Sequence, residues 1–412
     1  MINTTKNGIL HCIIITKIYF QNYFIYNNIM IKIGLIISPF LTEELIKEEL
    51  IEIQNNPELV NEIENDYQID DDNKIYTTNE LIIINYLRRT YNDVKVNIIN
   101  PTKLHKMEEN DIVFVLTFDI IEAFHTLPYH KYKEYKKFVI NYPNIYPNYS
   151  FQKLINYKNL YFKHLTNNNI NVLDHFIIEN NEDYRIKLKE MYTYKERVGW
   201  DGFIIKPLYG QEGVGFKSFH KDASKYLVEK DIEHLFKMGF PGVIFQEFLE
   251  SFGESKSEYR VYFIKNKYMY TVETGEDVME LVHTYKYEPD EIIKEIINFA
   301  KRTVSILPNV IVNDIMLPHL MLRIDIGYDD DDELFVNEVE FVPSLYTNFA
   351  DDINMRDLNL HELIGDTIYE ITAEYVNKSN IIEYTPTYTN KNNMIVFNLI
   401  MIIIILFFIM KT

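Results

Sequence analysis

One segment of this sequence combines a lysine with closely spaced glycines. Lys206 is followed by Gly210, Gly213 and Gly215. Glycines at this spacing allow a loop to fold its backbone N–H groups over phosphate oxygens. The segment is not a P-loop, because its lysine precedes the glycines and no Lys-Ser or Lys-Thr pair directly follows the last one. Taken alone, it is explained more simply as a glycine-rich hairpin than as a phosphate-binding loop.

Three carboxylates lie on two predicted strands that follow each other. Asp325 belongs to the sequence Arg323-Ile-Asp, and Glu338 and Glu340 belong to the sequence Glu-Val-Glu. Side chains two residues apart in a strand face the same side, so a hairpin would bring the three carboxylates together. Buried carboxylates at such spacing need a cation, and oxygen ligands suit Mg²⁺ bound to nucleotide phosphates. The alternative is an exposed hairpin face, which is how we interpret the acidic turn at 329–332.

The segment 246–250, Gln-Glu-Phe-Leu-Glu, ends another predicted strand. Backbone groups that leave a strand there can contact the edge of an adenine ring, and an apolar side chain can pack on its face. A strand end that carries solvated acids also explains the segment when it is taken in isolation.

Composition limits the classes of function. Lys and Arg number 41 and Asp and Glu number 61, which gives a formal net charge of −20. This charge argues against a nucleic-acid-binding protein, although it allows a small anionic ligand in one local basic pocket. The chain is 47% hydrophobic and 25% charged, as expected for a globular protein. The single cysteine, Cys12, excludes an internal disulfide framework and a Cys-based zinc cluster.

The elements that must position these residues begin with an α/β region. Alternation of apolar strands and amphipathic helices predicts an open α/β domain over residues 30–145. Its strands are predicted at 31–38, 94–99 and 111–116, with one helix capped by Thr42 whose apolar face continues to Ile53, and a second helix from Asn79 to Tyr91. Residues 141–149 contain two prolines and are predicted to be a linker. Residues 1–29 form an extension to which we assign no role in the fold.

Antiparallel hairpins follow, which predicts an α+β second half. Predicted strands are at 176–178, 200–207 and 243–248, hairpins pair 258–264 with 267–272 and 321–326 with 334–341, and helices span 156–165 and 291–305.

An apolar stretch occupies residues 394–410, in which only Asn398 is polar. As a helix it would be about 25 Å long, near the lower limit for crossing a bilayer. We therefore predict a C-terminal transmembrane helix, a single-pass anchor that follows a linker at 377–393. A buried terminal helix is the alternative. Such an anchor would leave the rest of the chain facing the cytosol.

The order of these motifs resembles the ATP-grasp superfamily, in particular its carboxylate–amine ligases such as D-alanine–D-alanine ligase, glutathione synthetase and the ligase that adds glutamates to a ribosomal protein. The resemblance covers about residues 150–350. It is carried by the strand lysine, the glycine loop, the Gln-Glu-Phe-Leu hinge, a Glu-x-Arg hairpin and the Arg-Ile-Asp and Glu-Val-Glu strands. It implies a pre-ATP-grasp domain at 30–145, a small subdomain at 150–240 and a C-terminal subdomain at 241–376.

The resemblance also implies roles for individual residues. ATP would be bound by Lys158, Lys206, Gly210, Gly213, Gly215, Glu247, Phe248, Leu249 and Glu258. Arg260 would contact the transferring phosphate or acyl phosphate, and Arg323 would stabilise charge at the reacting carboxyl. Asp325, Glu338 and Glu340 would hold one or two Mg²⁺ ions, or Mn²⁺. Glu340 departs from the family pattern, which has Asn there, as does Ser344, which replaces a Gly.

The function implied is an ATP-dependent ligase that forms an amide through an acyl phosphate and releases ADP and phosphate. Its substrates would be a small-molecule or peptide carboxylate and amine, and nucleic acid is not expected as a partner. Two alternatives remain open. The first is a small-molecule kinase of the inositol-phosphate-kinase type, whose polyphosphate acceptor would need more basic residues than this sequence offers. The second is a non-catalytic, membrane-tethered nucleotide-binding protein.

Overall fold

The computed structural model describes residues 30–37, 51–53, 68–69, 75–77, 79–99, 104–116, 136–209, 215–249, 252, 256–275, 279–343, 345 and 358–384. The predictions made for residues 1–29, Gly210, Gly213, Ser344 and 394–410 lie outside these residues.

The N-terminal domain is built on a parallel sheet. Its elements are β1 (Ile31–Ile36), β2 (Ile51–Ile53), β3 (Gln68–Ile69), β4 (Ile75–Thr77), α1 (Asn79–Thr90), β5 (Val94–Ile99), β6 (Ile112–Val115) and β7 (Ile145–Tyr146). The strand order is β5-β1-β6-β7, and each neighbouring pair is parallel. The predicted α/β alternation is therefore confirmed. β1 is almost entirely buried, as its continuous apolar sequence indicated.

Two predictions for this domain are wrong. Residues 51–53 form a strand that pairs with β4, not the end of a helix begun at Thr42. Residues 141–149 are not a linker, because β7 pairs with β6 and Tyr146 is fully buried. Only two residues between the prolines, Ile145 and Tyr146, are apolar. A segment of two apolar residues is long enough to form a short edge strand, but it is too short to show a strand periodicity in the sequence.

The C-terminal helix completes this same domain. α7 (Leu360–Tyr384) packs against α1, and the Asp366 carboxylate accepts hydrogen bonds from the hydroxyls of Tyr86 (2.7 Å) and Tyr91 (2.6 Å). The predicted linker at 377–393 is therefore wrong at its start, because the helix continues to Tyr384. Within the described residues, no helix combines the length and apolar character that a bilayer span requires.

The middle of the chain forms a smaller antiparallel unit. Its elements are α2 (Tyr149–Asn156), α3 (Lys158–Asn167), β8 (His175–Glu179), α4 (Tyr184–Val198), β9 (Phe203–Pro207), β10 (Lys217–Phe219), α5 (Lys225–Lys237) and β11 (Gly242–Glu247). The strand order is β10-β9-β11-β8, and apolar side chains of α4 and α5 form a core with one face of this sheet. β11 pairs with both β8 and β9. Because β11 belongs to this sheet, the unit extends to Glu247. The sequence analysis predicted its end at residue 240.

The remaining elements form a second antiparallel sheet. They are β12 (Glu258–Ile264), β13 (Lys267–Thr274), β14 (Met279–Thr284), α6 (Glu291–Ile306), β15 (Val310–Val312), β16 (Ile315–Leu317), β17 (Met321–Tyr328) and β18 (Leu334–Phe341). The order β14-β13-β12-β17-β18 contains both predicted hairpins. α6 begins after Asp290, whose side chain accepts a hydrogen bond from the Ile293 backbone N–H at 2.8 Å.

The two faces of this second sheet differ in chemistry. Val261, Ile324 and Val339 lie in register on adjacent strands and belong to a buried apolar core that also includes Ile293 and Ile297 of α6. Alternation along the strands sends the intervening residues to the opposite face. At the centre of the sheet most of those residues are charged, and the hydrogen bond from Lys206 to Asn337 shows that the smaller sheet lies against this face.

Candidate active site

Charged side chains form two rows across the centre of the second sheet. In one row Arg260, Asp325 and Glu338 are cross-strand neighbours, and in the next row Arg323 is paired with Glu340. Because successive rows on one face are two residues apart, all five side chains project to the same side. The predicted convergence of the three carboxylates is therefore present.

Arg323 holds two of the carboxylates. Its Nε and Nη2 donate to the two carboxylate oxygens of Asp325, both at 2.7 Å, and Nη1 lies 2.8 Å from Oε2 of Glu340. The three side chains are almost completely buried. A bidentate guanidinium of this kind fixes carboxylate orientation as well as charge.

Glu338 is held by a lysine from a distant part of the chain. Lys158, the first residue of α3, places its buried ammonium 2.5 Å from Oε1 of Glu338. Burial alone would raise the pKa of Glu338, but the positive charges of Lys158 and Lys206 outweigh it and lower that pKa. The two lysines therefore favour the ionised form of Glu338.

A β-bulge brings Asn337 into the same site. Asp325 is paired with Glu338 and Ile326 with Val336, so Asn337 is the extra residue of β18. Simple alternation would turn its side chain away from Glu338, and the bulge turns it back. Its Oδ1 accepts a hydrogen bond from the Lys206 ammonium at 2.9 Å, and its Nδ2 donates to Oε1 of Glu258 at 2.7 Å. Asn337 thus links the two sheets, and the sequence analysis missed it.

The site also depends on the charges of Arg260, Glu258 and Lys206. The Arg260 Nε donates to Oε2 of Glu258 at 3.0 Å. Burial opposes the charge on Arg260, but Asp325 and Glu258 outweigh that effect and raise its pKa. Burial lowers the pKa of the Lys206 ammonium, although the negative charge of Glu338 opposes the change. We refer to Lys158, Lys206, Glu258, Arg260, Arg323, Asp325, Glu338 and Glu340 as the charged cluster.

The charged cluster offers ligands for a divalent cation. Oxygen atoms of Asp325, Glu338 and Glu340 lie within 4.8 Å of one another. Burial raises the pKa of Glu340 to about 8 despite the nearby Arg323, and the charges of Glu338 and Asp325 act in the same direction. A site that leaves one carboxylate hard to ionise favours a bound cation, which would stabilise the ionised form. The donor set, three oxygens, fits Mg²⁺ or Mn²⁺.

A buried amide lies on the opposing sheet. Gln246 is fully buried, and neither its Oε1 nor its Nε2 has a hydrogen-bond partner among the residues that the structure describes. Gln246 is paired with Ile204 and Ile244 with Lys206, so the Gln246 side chain shares a face with Lys206. A buried amide without partners is unfavourable by about 1–3 kcal/mol. A ligand that carries both a donor and an acceptor, as an adenine edge does, would satisfy it.

The residues of the predicted hinge have different surroundings. Leu249 is buried in a small cluster with Leu173 and Phe335. The Phe248 backbone N–H donates to the Gly202 carbonyl at 3.3 Å. Burial, followed by the charge of Asp174, raises the pKa of Glu247. Strand alternation gives Gln246 and Glu247 opposite faces, so of these two residues Gln246 is the one that faces the site. The sequence analysis did not select Gln246, although strand periodicity was a signal that could have separated it from Glu247.

Gly215 is the one predicted loop glycine among the described residues. It has φ +74°, and a Cβ atom there would lie 2.6 Å from Leu235 and 3.0 Å from Pro207. Both the backbone conformation and the close approach require glycine. The local backbone conformation and packing beside the end of β9 thus account for the glycine at position 215.

Comparison with sequences finds no relative: no protein-family model matches the chain, and no curated protein matches it. Comparison with solved structures identifies the fold as that of ATP-grasp ligases. D-alanine–D-alanine ligase from Bacillus anthracis, complexed with ATP, has a TM-score of 0.53 and 13% identity, over 84% of this chain and 99% of that one. The Coxiella burnetii enzyme has a TM-score of 0.51 and 13% identity, over 86% and 98%. D-cycloserine synthetase DcsG has a TM-score of 0.51 and 13% identity, over 81% and 99%. The fold implied by the sequence resemblance is therefore confirmed.

Substitution of Arg323 tests whether the buried carboxylates of the charged cluster are stabilised by the positive charge beside them. Arg323→Met should lower the free energy of unfolding by roughly 3 kcal/mol, because it leaves Asp325 and Glu340 buried without their shared cation. Denaturant unfolding of the full chain measures this change.

Arg185 provides the matched control for this measurement. It also contacts two carboxylates, Glu229 and Glu233, but its side chain is 65% exposed. Arg185→Met should leave the unfolding transition unchanged. Equal losses of unfolding free energy in Arg323→Met and Arg185→Met would contradict the claim that Arg323 stabilises the buried carboxylates.

Proposed function

We propose that this protein is an ATP-dependent ligase that joins a carboxylate to an amine and releases ADP and phosphate. The observation that carries the proposal is the charged cluster, in which four cations and three candidate metal ligands converge between two opposed sheets. The fold supports it, because ATP-grasp ligases of similar architecture include the D-alanine–D-alanine ligase complexed with ATP.

Nucleotide binding would use both sheets. Lys158 and Lys206 would meet the phosphates, Glu258 the ribose, and the buried amide of Gln246 the adenine edge. The lysine ammonium groups are already directed into the cleft by Glu338 and Asn337. Charges arranged before the ligand arrives cost little reorganisation when phosphate charge develops. The glycine-rich segment 210–215 would close over the phosphates and exclude water.

Asp325, Glu338 and Glu340 would hold Mg²⁺. When bound, this ion neutralises phosphate charge and orients the transferring group. Cation binding by these three carboxylates would also weaken their pairing with Arg323 and Lys158, so that both side chains could interact with anionic substrate groups.

The chemistry needs no nucleophile from the protein. A substrate carboxylate oxygen would attack the γ-phosphorus, the bond to the β-phosphate oxygen would break, and ADP would leave. An amine would then attack the acyl carbon, phosphate would leave with the carboxylate oxygen, and the amine would lose a proton. Arg260 and Arg323 lie beside the carboxylates and would stabilise the negative charge that develops in both steps.

An isotope experiment tests this reaction. The full chain would be incubated with Mg-ATP, a panel of ¹⁸O-labelled carboxylic acids beginning with D-alanine, and amino acids as amines. We expect phosphate release that requires both acid and amine, with ¹⁸O transferred into the phosphate. Glu338→Gln should reduce the rate at least about 100-fold, whereas Glu229→Gln, which changes a partly exposed carboxylate on α5 outside the charged cluster, should not change it.

Other outcomes of this experiment contradict the proposal. Transfer of phosphate to an acceptor without free phosphate would indicate a kinase. If the chain binds ATP but none of the acids in the panel leads to ATP consumption, the result would favour a non-catalytic nucleotide-binding protein.

We further propose that residues 394–410 anchor the protein in a membrane, with the ligase part in the cytosol. The support is the apolar sequence of this segment alone. Cell fractionation should find the full chain in the carbonate-resistant membrane pellet and a chain ended at residue 390 in the supernatant. Recovery of both chains in the supernatant would contradict the anchor.

A further inference from the structure

A cavity lies beside β13 and β14 of the second antiparallel sheet. It has a volume of about 650 Å³, is open to solvent on one side, and is bordered by α6, β13, β14 and the turn at 265–266. Thr271, whose hydroxyl contacts the Tyr268 hydroxyl in the cavity wall, is paired with Val261 on the apolar face of the sheet. The cavity therefore opens on the side of the sheet opposite to the charged cluster. Its volume is in the range of about 300–1,000 Å³ typical of small-molecule sites.

The charge of the cavity wall is opposite to that of the chain. Lys267, Lys294 and Lys301 contribute to the wall, and no Asp or Glu of the described part of the chain does. In a protein with a formal net charge of −20, such a wall is a local basic pocket. Lys294 pairs with Glu291, whose carboxylate is 3.3 Å from the Lys294 ammonium and whose side chain is 91% exposed. An ion pair this exposed is weak and would yield to an anionic ligand.

Aromatic side chains supply the rest of the chemistry. Tyr285 and Tyr287 also line the cavity, although 50% and 58% of their surfaces are exposed. The Lys301 ammonium lies 5.9 Å from the centroid of the Tyr268 ring. Rings and ammonium groups that share one wall suit a ligand with a planar aromatic part and a negative charge.

A hydrogen-bond network fixes this wall. The Tyr268 hydroxyl lies 2.8 Å from Nδ1 of His283, and Nε2 of His283 donates to the Tyr287 carbonyl at 3.1 Å. The two rings are stacked, with centroids 5.8 Å apart. Burial lowers the pKa of His283, which favours the neutral imidazole. The nearby acids Glu288 and Asp290 act on His283 only through weaker electrostatic effects.

We propose that this cavity binds a small aromatic anion of the aryl-phosphate class, at a site separate from the charged cluster. The phosphate would pair with Lys294 and Lys301, and the aromatic ring would stack on Tyr285 and Tyr287. The inference does not depend on the proposed ligase activity, because it uses the opposite face of the sheet.

Titration of the full chain with 1-naphthyl phosphate, followed by calorimetry, tests the site. We expect saturable binding, weaker binding of inorganic phosphate, and weaker binding of 1-naphthol, since each of these probes lacks half of the recognised chemistry. Lys301→Ala should weaken the affinity for 1-naphthyl phosphate at least about fivefold, because it removes both a charge and a cation–π contact.

Two variants locate the binding. Lys230→Ala is a matched control, since the Lys230 ammonium lies 4.6 Å from the Tyr226 ring centroid on α5 but lines no part of this cavity. It should leave the affinity unchanged, as should Lys206→Ala in the nucleotide cleft. Binding that is lost in Lys206→Ala, unchanged in Lys301→Ala, or absent in the wild-type chain would overturn the proposal.

Discussion

Charge compensation in a buried cleft is the constraint on which the rest of this structure depends. Four cationic side chains and four carboxylates, the charged cluster, lie between two sheets, largely away from solvent. Seven of the eight charges lie within hydrogen-bonding distance of an opposite charge, and the Lys206 ammonium donates to the amide oxygen of Asn337 instead. A ligand that enters must therefore exchange contacts with this network. A divalent cation on the carboxylates together with phosphates on the lysines and arginines replaces both sets of partners at once.

The fold meets this constraint by combining distant parts of the chain. Lys158 begins a helix, Lys206 is in the smaller sheet, and Arg323 and Glu338 are on the hairpin of the larger sheet. Asn337 joins the two sheets by bridging Lys206 and Glu258. The same strands carry apolar residues on their other face, and α6 covers that face. One hairpin thus provides both the core of the subdomain and one wall of the site.

The sequence predicted the parts of this arrangement that follow from regular alternation. Arg323, Asp325, Glu338 and Glu340 converge because strands have a period of two residues, and the two hairpins have nearly the predicted bounds. Asn337 was missed because a bulge interrupts that period. β7 was missed because two residues carry no periodicity, and β11 was assigned to the wrong subdomain because pairing between distant strands is a tertiary property. The orphaned amide of Gln246 is visible only once its neighbours are placed.

Binding of Mg-ATP to the full chain is the measurement that tests the central claim most directly. Calorimetry should detect one saturable site in the wild type. Lys206→Ala should weaken that binding at least about tenfold, a loss of about 1.4 kcal/mol. Lys217→Ala, whose exposed ammonium pairs with Asp231 on the surface, should bind as the wild type does. No binding by the folded wild-type chain, or equal affinities for all three proteins, would contradict a nucleotide site at the charged cluster.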